Sequence, residues 1–128
     1  MPLAAMKHDV DPRDALLAKL GNALDGFEIA DNFVLIATYR RPEKTQGGII
    51  LTSGVLTEDI HQCKAGLVVK MGPSVDFPLL DIKLHDWVVL KPSDGWAMEI
   101  LTKGEPVHCR LALDTQIRGR LAHPSLVW

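Results

Sequence analysis

The run Phe33-Val34-Leu35-Ile36-Ala37-Thr38-Tyr39 constrains the fold most. It is nearly continuous in hydrophobicity and rich in β-branched and aromatic residues. Side chains of a strand alternate between two faces, so a run without polar alternation suits a strand buried on both sides. Further short runs follow: 66–71 (GLVVKM), an alternating piece around Ile82 and Leu84, then 87–90, 96–101 and 107–113. Between them lie Gly72-Pro73, a turn-like His85-Asp86, Lys91-Pro92-Ser93-Asp94-Gly95 and Thr102-Lys103-Gly104-Glu105-Pro106, all of conventional turn chemistry. Short strands at this spacing predict a mainly β fold, a small barrel or sandwich. A chain of 128 residues suits a single domain, and no internal repeat or low-complexity segment divides it.

Two additions flank the strands. Asp11 suits an N-cap, Pro12 the first helical position and Asp14 the positive end of a helix dipole. Leu16, Leu17, Leu20 and Leu24 then form a stripe at helical spacing, which Gly21 or Gly26 could end. Such a short helix needs a surface to lie on, either its own domain or a neighbouring subunit. The chain therefore divides into an N-terminal arm and helix (1–29), a β region (30–117) and an apolar C-terminal tail (118–128). The tail ends in Leu126, Val127 and Trp128, so it is expected to pack against something instead of fraying.

Composition excludes several partners. Hydrophobic residues make up 47% of the chain, enough for a sizeable core, and the net charge is −2, which gives no reason to expect nucleic acid. No apolar stretch approaches the ~20 residues a membrane helix needs, and charges at Lys7, Asp9 and Asp11 argue against a secretory signal. Cys63 with His61, and Cys109 with His108, do not have the spacing of a zinc motif, so free thiols and no metal are expected.

Catalytic signatures are missing as well. There is no phosphate-binding glycine loop, Ser53-Gly54 is not a nucleophile elbow, and no His-Glu-x-x-His helix occurs. Glu58-Asp59 are adjacent on a polar stretch and tend to point apart, which disfavours paired acid–base work. His85-Asp86 fits a turn better than a base and its orienter, because such partners are matched by geometry and not by adjacency. His8, His61, His108 and His123 have no evident catalytic partner in the sequence. A binding or assembly protein without cofactor is expected rather than an enzyme.

The candidate binding element lies in the long polar loop 40–62 between the first two strands. Loops of this length in compact domains are mostly functional or disordered. At its centre Gly47 and Gly48 leave the backbone free to reorient, and Ile49, Ile50 and Leu51 follow with polar residues on both sides. An apolar triplet in that setting reads as a hook for another protein.

The order and spacing of these pieces resemble the GroES-like co-chaperonin family. Asn32-Phe33-Val34-Leu35-Ile36 matches its opening strand, Gly47-Gly48-Ile49-Ile50-Leu51 its mobile loop, and Gly66-Leu67-Val68 with Gly72 its next strand. Ile82-Lys83-Leu84-His85-Asp86-Trp87-Val88 matches the strand after that, and 107–117 is a weaker match to the strand that closes the barrel. A narrower likeness, to GroES-like proteins of tailed phages and prophages, rests on four segments. These are Arg41-Pro42-Glu43-Lys44-Thr45 before the two glycines, Asp86-Trp87-Val88-Val89, Pro92-Ser93-Asp94-Gly95-Trp96, and the ending His123-Pro124 with Val127-Trp128. The resemblance implies a small irregular β-barrel that forms homo-oligomers, with Ile49, Ile50 and Leu51 docking in a hydrophobic groove. Four departures accompany it. His85 stands at a turn-glycine position, the 72–81 segment is too short for a roof hairpin, a helix precedes the barrel, and an apolar tail follows it. These leave two roles: a cement protein that binds the major capsid protein on the virion, or a cytoplasmic co-chaperonin that caps a chaperonin. The lost roof favours the first.

Overall fold

A computed structural model of the chain describes residues 11–40 and 64–127. The elements run α1 (Pro12–Leu20), β1 (Phe33–Thr38), β2 (Ala65–Met71), β3 (Trp87–Val89), β4 (Trp96–Ile100), β5 (Val107–Leu113) and β6 (Gly119–Leu121). One-turn 3₁₀ helices cover Asp114–Gln116 and Pro124–Leu126. The six strands form one antiparallel sheet in the order β4-β5-β1-β2-β3-β6. The fold is therefore mainly β, as the strand pattern requires.

The sheet is not closed, and this corrects the expected barrel. β4 has a neighbour only in β5, and β6 only in β3, among the described residues. The physical reason lies in the central strands, which are covered on both faces instead of enclosing a single interior. Leu35, Ala37, Leu67 and Trp87 belong to a first core, onto which Leu16, Leu17, Leu24 and Phe27 pack. Val34, Ile36, Val68 and Val88 belong to a second, which includes Ile82 and is covered by Val75, Phe77 and Ile117. This two-sided cover accounts for the unbroken apolar run of β1. It also accounts for the connector after β2: the residues between Gly72 and Ile82 form no strand and seal the second face.

Local chemistry sets the boundaries. Asp11 accepts from the amides of Arg13 and Asp14 at 2.8 and 3.4 Å, Pro12 follows it, and Gly21 ends α1 with φ +51°. Gly72 ends β2 where the backbone passes close to the carbonyl oxygens of Ala30 and Asp31; a Cβ there would collide with both. The tail is not a simple appendage. Its residues 119–121 pair with β3, Leu121 opposite Trp87 and Arg120 opposite Val88. This sixth strand was not expected from the sequence.

The 83–86 segment is a tight turn. The Asp86 amide donates to the Lys83 carbonyl at 3.1 Å, and Asp86 Oδ2 accepts from the Lys83 amide at 2.9 Å. His85 takes φ +71°, a left-handed conformation that costs a residue with a Cβ about 1–2 kcal/mol. The His85-Asp86 pair thus serves the turn, as its sequence suggested. Replacing His85 by glycine should raise stability by about 1 kcal/mol, the strain relieved exceeding the extra backbone entropy lost on folding. A urea-denaturation midpoint that moves down would contradict the turn assignment.

Candidate functional site

The long loop leaves the sheet from a rigid base. Thr38 pairs with Gly66, and the Tyr39 amide donates to the Ala65 carbonyl at 2.9 Å, so the two ends of the loop are held side by side. Tyr39 and Trp87 are both buried and meet edge to face, with ring centroids 5.7 Å apart and planes at 81°. Gly66 lets β2 approach β1 at this point, where a Cβ would strike the Ile36 side chain. The residues expected to form the hook, Gly47, Gly48, Ile49, Ile50 and Leu51, lie outside the described residues, as does Trp128.

The helical stripe packs against the chain's own sheet. Leu20 is 4% exposed and belongs to the first core, while Leu16, Leu17 and Leu24 are partly buried against it. Leu24 lies in the turns after α1, where its carbonyl accepts from Lys70 Nζ at 2.6 Å. Of the two surfaces this stripe could lie on, its own domain is therefore the one it covers. In the tail, Val127 packs against the first core and Leu126 is 57% exposed. His123 caps the last turn, its Nδ1 accepting from the Ser125 amide at 3.1 Å and lying 2.7 Å from Ser125 Oγ.

Two polar centres hold connectors in place. Asp114 is 8% exposed. Its Oδ2 accepts from the Asp76 amide at 2.9 Å and its Oδ1 from Asn32 Nδ2 at 3.0 Å. The Asp76 amide, aided by Asn32 and the Thr115 amide, holds this carboxyl below its ordinary range and outweighs burial, which pushes it up. Arg110 is nearly buried on β5, and its Nη1 donates to the carbonyls of Pro92 and Asp94. Arg118 lies 3.5 Å from Asp94 Oδ2. Both centres are structural: one ties three segments together and the other clamps the 91–95 turn.

No cluster of three or more His, Cys, Asp or Glu residues that could hold a metal occurs among the described residues, and Cys109 is buried. Cys63 and His61 lie outside the described residues. No described helix is long and apolar enough to cross a membrane. What the surface does offer is apolar: Leu79 is 94% exposed on the connector after β2, and Trp96 is 72% exposed on edge strand β4. The sequence pattern placed Trp96 in a strand without marking it as a surface residue, because edge position depends on the sheet order. Compared with models of known protein families and with curated proteins, the chain matches none.

Proposed function

We propose that the protein is a non-enzymatic capsid cement, or decoration, protein of a tailed phage. The small β domain acts as a rigid spacer, and Gly47, Gly48, Ile49, Ile50 and Leu51 carry the hook that grips the major capsid protein. The observation that supports this reading best is the connector between β2 and β3. A lid for a folding chamber needs a roof, and this chain lays Val75 and Phe77 down onto the second core without a strand in the connector. The exposed Leu79 and Trp96 suit a protein that buries apolar area at joints between other subunits. Each Å² removed from water contributes ~25 cal/mol before association costs are subtracted.

The second reading is a phage-encoded co-chaperonin that caps a chaperonin to help the capsid protein fold. It rests on the Gly-Gly-Ile-Ile-Leu sequence and on the clamped base from which the loop departs. The two separate in one pair of assays. The cement reading expects co-sedimentation with empty capsid shells and a higher melting temperature of those shells. It expects no gain in refolding yield with chaperonin and ATP. Refolding activity without shell binding reverses the assignment.

A further inference from the structure

We propose that β4 and β6, the two edges of the sheet that have no further neighbour among the described residues, pair with each other between copies of this chain: β4 of one copy joins β6 of the next, head to tail. An exposed strand edge is a template for pairing, and proteins that stay monomeric guard it with charged side chains (above all lysine), proline, bulges, very short strands or a covering segment. Here the only edge charges are Glu99 on β4 and Arg120 on the short β6, which are opposite in sign. The β4 sequence Trp-Ala-Met-Glu-Ile has no proline or lysine, and Trp96, Ala97 and Glu99 are exposed.

Strand direction permits the joint. Every neighbour in the six-strand order is antiparallel, so β4 and β6, at opposite ends, run in opposite senses. Joining them across two copies continues the alternation without a break.

The side chains then select a register. On β4, Met98 and Ile100 face the first core, and on β6 Leu121 does the same. On the other face, Glu99 lies opposite His108 in its own sheet, and Arg120 lies opposite Val88 of the second core. Placing Glu99 of one copy opposite Arg120 of the next sets Met98 against Leu121 and Ile100 against Gly119. Opposite charges then meet on one face and apolar side chains on the other. A slip of one residue would turn the charged set toward the apolar face. A slip of two would leave Arg120 opposite Ala97. Arg120 gives one Nη1 hydrogen bond to the Asp81 carbonyl, and its other donors remain to meet a carboxylate. The same register carries Trp96 to the level of the neighbour's His123. Because two different surfaces meet, the joint is heterologous and builds rings or open chains, not two-fold dimers.

Sedimentation velocity on the full chain tests this, supported by oxidative cross-linking. The wild-type protein should associate with rising concentration. Glu99→Arg and Arg120→Glu should each weaken association at least tenfold, and the double reversal should restore it. The Glu99→Cys/Arg120→Cys double variant, oxidised beside wild type to account for Cys63 and Cys109, should give a ladder beyond dimers that neither single variant gives. Circular dichroism identifies any variant that fails to fold, and the cross-linking result then decides. Wild type that stays monomeric, association indifferent to both reversals, or covalent dimers from Glu99→Cys alone would each overturn the pairing. Monomeric protein that still bound capsid shells would sink this joint and leave the cement reading standing.

Discussion

Asp114→Ala should lower the stability of the fold by about 2–3 kcal/mol, because it removes two hydrogen bonds to a charged group. The carboxylate joins the loop before β1, through Asn32, to the connector after β2, through Asp76, at the exit of β5. The Asp114 amide closes the same junction by donating to the Asn32 carbonyl at 3.0 Å. Losing the side chain frees the connector that covers the second core, so the cost extends beyond the bonds themselves. The pH dependence provides a more specific test. The folded-state pKa lies below the ordinary value, so the unfolded chain binds the proton more readily. The contribution is therefore complete above the unfolded pKa, about 4, and is lost as pH falls through the folded value. Asp114→Asn cannot ionise. The stability gap between wild type and this variant should be widest near neutrality and close toward pH 2 in urea denaturation. A gap that stays constant across that range would mean that the charge has no stabilising role.

The larger functional effect is expected from the hook. Changing Ile49, Ile50 and Leu51 together to serine should weaken partner binding by at least a hundredfold. A few apolar anchors carry most of the energy of such contacts, and fully burying each aliphatic side chain is worth about 1.5–3 kcal/mol. Far-ultraviolet circular dichroism should be unchanged, separating lost binding from lost fold. If the triple variant binds capsid shells as well as wild type does, the loop is not the gripping element. Binding would then have to come from exposed apolar residues such as Leu79 or Trp96.

Local signals were strong enough to be read from the sequence. Asp11 followed by Pro12 marked the start of α1, Gly21 was one of the two glycines offered as its end, and the turn residues at 91–95 and 102–106 bracketed β4. The even hydrophobicity of 33–39 announced a strand covered on both faces. Non-local facts were not legible. Gly119-Arg120-Leu121 is too short to show a period of two, and its place in the sheet depends on β3, more than 25 residues earlier. Sheet closure and the edge position of Trp96 depend on strand order, which no single segment encodes. The leucine stripe showed a face in need of cover but not which surface would provide it. The structure sets Leu16, Leu17, Leu20 and Leu24 against the chain's own sheet. The loop's own pattern of two glycines and three aliphatic residues suggested the hook at 47–51, and the resemblance contributed the choice of partner. The geometry adds the clamped loop base at Tyr39 and Ala65 and the flattened connector after β2.

The central claim is that this domain grips a capsid. Quantitative mass spectrometry of purified phage particles, counting copies of this protein per copy of the major capsid protein, tests it most directly. A fixed stoichiometric ratio that survives density-gradient purification is the expected result. Particles that lack the protein, while it accumulates in the infected cell bound to a chaperonin, would contradict the claim and establish the co-chaperonin role instead.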